Sequence, residues 1–371
     1  MIHDNKKVKI SQNQLFCLIA IYQIGTTPLF AFGAKAKQDA WIGVSISTLI
    51  GIFFVWIFLK IQKCFPNKNF IEIITTLLGK TLGIPLSFLY VMIWLYAADR
   101  NMNHLSELMK MTVLHDTPIL AISTIFMILV MSTFYMGIQT FARTSEILTP
   151  IYILSLLGIF ILAFLSRIVD INNILPILGD GFSPILETLN PPVTVCFPYS
   201  EMVVFLMFWK YVDPKKCISR TTYSSVAISG LVIIIAQAIL ILVLGVNYTS
   251  SSTIPLLDVI KLIHIGDVIT NLDSFGMVLL FIGGYFKTCI FFYGSVLAFC
   301  TIFNIKKIKL WATLLAILAT LYSLVFMPNY PFMLSMVAMV DSTFVLLPLF
   351  IIIPCLLLII CWLKNKIGIL K

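Results

Sequence analysis

Apolar residues in this chain neither alternate with polar ones, as on a half-buried strand, nor keep to one helical face. They come in long runs separated by short polar stretches. About 20 apolar residues in a row are the length of a membrane-crossing helix, whereas barrel strands alternate. The pattern predicts about ten spans, near 12–34, 40–62, 83–112, 118–139, 144–167, 182–212, 218–246, 268–303, 309–327 and 331–363. Two shorter stretches, 69–79 and 254–266, mix charge into apolar turns and read as interfacial helices.

The spans divide into two fives with matching layouts. The sixth, FSPILETLNPPVTVCFPYSEMVVFLMFWKYV (182–212), is interrupted by Pro191, Pro192 and Pro198 and carries Glu201. A proline inside a helix removes a backbone hydrogen bond and clashes with the preceding turn. The first span is interrupted in QIGTTPLFAFG, between Gly25 and Pro28. Irregular backbone at membrane depth is tolerated where protein or a water-filled cavity satisfies it. An odd number of spans per half inverts the second half. The expectation is an all-α polytopic membrane protein, about ten transmembrane helices in a five-plus-five inverted repeat with helices 1 and 6 broken. Residues 1–371 would form one transmembrane domain, with repeats at about 12–167 and 182–363. The likeness of the halves lies in layout, not in residue identity.

Composition agrees. The chain is 60% hydrophobic and 11% charged, against about 25% charged in soluble proteins. With the N-terminus placed in the cytoplasm, 18 lysines and arginines fall on cytoplasmic ends and 5 on the other side. Both termini are therefore expected in the cytoplasm. That topology and anionic lipid account for the net charge of +9 without a nucleic-acid partner. The first apolar run, from about Leu15 to Ala34, is longer than the core of a cleaved signal peptide. The eight cysteines are scattered, and the four histidines form no HExxH, so no metal or cofactor is expected. No nucleophile elbow or nucleotide-binding loop stands in a suitable context, and the chain does not read as an enzyme.

The candidate residues lie in four spans. In span 1, Gly25, Thr26 and Thr27 offer free N–H groups and hydroxyls at a half-helix end, which suits a carboxylate. A simple proline kink with back-bonded threonines is the plainer alternative. In span 6, Tyr199 and Ser200 precede Glu201, for which three roles stand open: a cap or ion pair, a proton carrier, and a ligand contact. In span 3, Tyr96, Arg100 and His104 share a face, and Asp99 or Glu107 is the expected neutraliser of Arg100. In span 8, Gly283 and Gly284 allow close helix approach, and Thr288 and Phe292 are expected to line the cavity. Lys287 is expected to pair with Glu201 or Asp341.

Several of these segments together resemble one family. FPYSEMVVFLMFWKYV, GGYFKTCIFFYGSVLAF, GIQTFARTSEILTPIY, SQNQLFCLIAIYQIG and NHLSELMKMTVLHDTPI are similar to the B subunit of bacterial spore germinant receptors. That family belongs to the amino acid–polyamine–organocation transporter superfamily. The resemblance spans essentially the whole chain. It implies the inner membrane of an endospore, an A subunit and a lipoprotein C subunit as partners, and a small germinant, commonly an amino acid. It implies a pocket between the breaks of spans 1 and 6 and the middles of spans 3 and 8. In this chain those positions are Gly25, Thr26, Thr27, Tyr96, Arg100, Tyr199, Ser200, Thr288 and Phe292, with Asp99, Glu201, Lys287 and Asp341 as structural or coupling charges. Ser200 stands where the family more often has glycine, and Tyr199 where phenylalanine is common. Arg100 puts a charge where an alanine pocket would be apolar, which favours an acidic ligand unless Asp99 binds it. The implied activity is germinant sensing; the alternative is a proton-coupled amino-acid permease.

Overall fold

The computed structural model describes residues 9–189, 197–264, 272–326 and 347–366. Pro191, Pro192 and Asp341 lie outside them, as do parts of the expected spans 6, 8 and 10. Among the described residues the chain is helical, with one isolated bridge between Ile10 and Val212. The α-helices are α1 Gln12–Ile24, α2 Ala40–Cys64, α3 Phe70–Thr112, α4 Ile119–Met136, α5 Ile138–Leu165, α6 Ser183–Leu189, α7 Ile218–Ser251, α8 Pro255–Leu262, α9 Asp273–Ile302, α10 Ile308–Phe326 and α11 Ile353–Lys366.

Seven described helical stretches are long and apolar enough to cross a membrane. The other expected spans are the two broken ones and α10. Local chemistry starts and bends these helices. Ser11 and Gln14 form a capping box at α1, and Asn69 and Glu72 another at α3. The expected interfacial stretch 69–79 is not separate from span 3. It runs into it through Gly79, at φ 75° and ψ 175°, a bend that a glycine makes without steric cost. Span 5 begins at Ile138, earlier than the expected 144.

The two expected breaks are present. α1 stops at Ile24, and the chain passes through Gly25 and Thr26 into a short 3₁₀ turn, Thr27–Leu29. In span 6, α6 ends at Leu189, and after Phe197 and Pro198 a 3₁₀ run covers Ser200–Met207. The second half of this span is wound as the tighter 3₁₀ helix, at Ser200–Met207 and Trp209–Tyr211.

α9 lies along α3, and α1 lies against α5 and α7. Both membrane faces are tied across the breaks. On the N-terminal side Lys9 pairs with Asp213 at 2.6 Å, and Ile10 N–H donates to Tyr211 O at 2.9 Å. On the opposite side Asp39 accepts from Leu178 N–H at 3.1 Å, and Lys37 pairs with Asp180 at 2.7 Å.

Candidate functional site at the crossing of the two breaks

The first break is held by neutral hydrogen bonds. The Tyr152 hydroxyl, from α5, donates to Gly25 O at 2.9 Å. Gln237 Nε2, from α7, donates to Phe30 O at 2.9 Å. The Thr27 hydroxyl turns back to Gln23 O, as the plainer reading of the threonines has it. The Thr26 and Thr27 N–H groups have no hydrogen-bond partner among the described residues. Gly25 meets α9 backbone to backbone: a Cβ on Gly25 would collide with Gly283 O, and one on Gly283 with Gly25 O. Gly284 is covered instead by Leu105 of α3.

One turn beyond Gly283 on α9, Lys287 is fully buried, with its Nζ 2.8 Å from Glu201 Oε2. The other oxygen, Glu201 Oε1, is 3.5 Å from an Arg100 nitrogen. The second break is therefore held by charge, and Glu201 bridges spans 3 and 8. The cap reading of Glu201 gives way to the ion pair: Tyr199 is the residue before the 3₁₀ turn, and no side-chain cap is made there. Arg100 meets Glu201 and not Asp99, whose carboxylate has no hydrogen-bond partner among the described residues. The ammonium has three N–H donors and each carboxylate oxygen two lone pairs, so Lys287 Nζ and Glu201 Oε2 both keep hydrogen-bonding capacity beyond this contact.

Aromatic faces close the cluster. The Phe197 ring centroid lies 3.7 Å from Lys287 Nζ and that of Tyr22 at 5.4 Å, placing the ammonium against two π faces. Phe32 stacks on Phe197 at 5.0 Å, Phe30 lies 5.9 Å from Phe32, and His104 lies 5.2 Å from Phe30. On the other side of Phe197 is a small cavity of about 10 Å³. Thr27, Phe32, Ser47, Phe197 and Tyr199 are among its lining residues. That volume holds about one water and no amino acid. The two breaks thus meet in a closed arrangement, with Phe197 between the cavity and the buried ammonium.

The expected residues fall into groups. Gly25 and the Thr27 side of the first break, Arg100, Glu201 and Lys287 converge. Tyr96 lies under the Arg100 guanidinium, its ring centroid 5.9 Å away. Ser200 is buried in the first turn of the 3₁₀ run. Tyr199 reaches the small cavity from between α2 and α7, its hydroxyl 2.7 Å from Thr48 Oγ1 and its ring over Gly51. Thr288 and Phe292 do not join the cluster. They share a face of α9 with Gly284, and Phe292 meets Phe134 of α4 at 5.9 Å. Among residues not anticipated, Tyr22 and Gln23 are fully buried with side-chain polar atoms lacking partners, and Phe197 covers the ammonium. Their position on an interrupted helix, beside its break, is the one sequence signal they carry. Among the described residues no group of His, Cys, Asp or Glu is arranged to hold a metal ion.

Apolar spans, two interrupted helices and a buried ionic crossing define an integral membrane protein with the inverted-repeat fold that transporters also use. The fold matches that of an Eremococcus coleocola manganese transporter, with a TM-score of 0.61, 13% identity, and coverage of 99% of this chain and 88% of that one. It also matches Mhp1, a nucleobase-cation-symport-1 family transporter, in a closed conformation with bromovinylhydantoin bound. There the TM-score is 0.57 at 13% identity, over 85% of this chain and 72% of that one. Within that class the chain belongs to the spore germination protein family, whose profile matches residues 9–331. Spore germination protein KB of Bacillus subtilis (strain 168) is 33% identical over 303 residues, 81% of each chain.

Proposed function

We propose that this chain is the germinant-sensing membrane subunit of a spore germination receptor. It binds a small germinant, most simply an amino acid, between the two breaks, and it triggers germination with an A subunit and a lipoprotein C subunit. It works in the inner membrane of the endospore with both termini in the cytoplasm. Family membership and the transporter fold support this reading. The observation that carries it is what stands on either side of Phe197: the N–H groups of Thr26 and Thr27, without hydrogen-bond partners among the described residues, and the ammonium of Lys287, paired with Glu201. N–H groups at a helix break suit a carboxylate.

In this reading the ligand displaces Phe197, and the small cavity and the ionic cluster become one pocket. Gly25, Thr26, Thr27, Tyr199, Ser200 and Arg100 then line it, and Tyr96 orients Arg100. Thr288 and Phe292, on the face of α9 that meets α4, stay outside that pocket. Binding acts by favouring the open arrangement, and it can do so only by its differential affinity for the two arrangements. A full switch from mostly off to mostly on takes about 5.5 kcal/mol of that difference.

A second reading, a proton-coupled amino-acid permease, is favoured by the likeness to transporters of known structure. Two assays on the same protein separate them. Spores carrying the chain are expected to respond to at least one member of a panel of amino acids, sugars and nucleosides, and a Gly25→Ala chain is expected to lose that response while still being made. Proteoliposomes holding the chain alone are expected to show no concentrative uptake of labelled amino acid. Robust uptake would establish the permease, and an unimpaired Gly25→Ala response would remove the pocket.

A further inference from the structure

The carboxylate of Asp99 is 1% exposed, and neither of its oxygens has a hydrogen-bond partner among the described residues. It lies in α3, one residue from Arg100, but the Arg100 side chain turns to Glu201. Along α3, Tyr96 and Asn103 stand three residues before and four after Asp99, so the three share a face. That face looks to α10. Tyr96 meets Tyr322 edge-on at 6.5 Å, and Asn103 Nδ2 donates to Ser323 Oγ at 2.7 Å. The Tyr96 hydroxyl and Asn103 Oδ1 are also buried without hydrogen-bond partners among the described residues. The seam between spans 3 and 9 is therefore a second buried polar patch, which meets the Arg100–Glu201–Lys287 cluster where the Tyr96 ring lies under Arg100.

Among the described residues no charge pairs with Asp99. Of these residues, Tyr96 on its own helix and Tyr322 on α10 are the titratable groups that face it. His104 faces Phe30, and Glu107 lies two turns further along α3. Of the elements against α3, α9 carries Lys287 and the 3₁₀ run carries Glu201, which face each other. Lys364 of α11 donates to Leu77 O, far along α3. α4 carries no charged side chain. A charged carboxylate with no partner in an apolar interior is too costly to persist, and it is neutralised by taking up a proton. A metal cation would need several ligands around the carboxylate, and among the described residues no group of His, Cys, Asp or Glu is arranged to hold one.

We propose that Asp99 is a proton-binding site: in this closed arrangement it is a neutral carboxylic acid in the seam between α3 and α10, and it releases its proton when that seam opens. The inference stands whether the chain senses or transports, because it concerns the ligand-free protein.

The test is the melting temperature of the purified full-length chain from about pH 5 to about pH 9, with Asp99→Asn beside the wild type. A folded state that holds a proton the unfolded state gives up loses stability as pH rises. The wild type is expected to fall about 1–3 °C per pH unit more steeply than Asp99→Asn. Asp99→Asn mimics the neutral acid and is expected to fold. Difference infrared spectroscopy should find the carbonyl stretch of a protonated carboxylic acid in the wild type and not in the variant. Parallel pH curves would overturn the proposal, and so would absence of that band. An Asp99→Asn chain that fails to fold would also count against it, since a neutral side chain would then be unacceptable. Stabilisation of the wild type alone by sodium or potassium over choline at fixed pH would replace the proton with a metal cation.

Discussion

The two breaks look alike in the sequence and are built differently. In the first, the backbone freed at Gly25 and Phe30 is satisfied by neutral donors, the Tyr152 hydroxyl and the Gln237 amide, and the turn presses glycine to glycine against α9. In the second, the 3₁₀ run is held by a carboxylate shared between Arg100 and Lys287, with Phe197 over the ammonium. One break depends on shape, the other on charge. The difference matters because charge at this depth is stable only when paired, so the second break is the one a ligand's own charge can reorganise.

The sharpest way to break this comparison is to remove one charge. Lys287→Met leaves Glu201 buried with Arg100 alone and should destabilise the protein by about 3–5 kcal/mol. The double variant Lys287→Met with Glu201→Gln should recover part of that loss. A thermal-melt double-mutant cycle measures the coupling, and additive losses would mean that the pair does not act as one unit. Next in size is the glycine crossing. Gly25→Ala and Gly283→Ala should each cost about 1–3 kcal/mol, because the added methyl meets the opposite carbonyl and backbone cannot step aside as a side chain can. Wild-type melting in either variant would show that the crossing is loose.

A smaller effect is expected from Tyr152→Phe, which strips the donor from Gly25 O. The loss should be about 1–3 kcal/mol and independent of the Lys287 substitution, so the two should add. Smallest is Tyr199→Phe, which removes the hydrogen bond to Thr48 for about 0.5–1.5 kcal/mol. Its companion prediction is functional: melting changes little, while the germinant response shifts, because Tyr199 lines the small cavity.

Much of this was legible in the sequence, for a physical reason. Where nearly every residue is apolar, a proline, a glycine pair or a charge stands out, and Gly25, Pro198, Glu201, Arg100 and Lys287 were visible on that ground alone. The pairing of Lys287 with Glu201 could be anticipated because unpaired charge is so costly there. What was not legible depends on direction. Tyr199 was expected with the ligand-facing residues, and it does reach the cavity, but from between α2 and α7, because the chain's turn at Pro198 sets where it points. Thr288 lies about 100° and Phe292 about 140° round α9 from Lys287, and that rotation decides which neighbour they meet. Residues 200–207 have a composition equally suited to α and 3₁₀ winding. Tyr152 and Gln237 cap the first break from helices far away in sequence, and no local pattern announces them.

The central claim is that a germinant binds where the two breaks meet. The most direct measurement is to activate spores with a photoreactive analogue of an effective germinant, cross-link, and map the labelled peptides by mass spectrometry. The account predicts label on residues 25–32 and 197–201 and on α9 around Lys287, lost in competition with the natural germinant. Specific label confined to the open cleft of about 390 Å³ near Tyr248, Ser252 and Lys261 would contradict it.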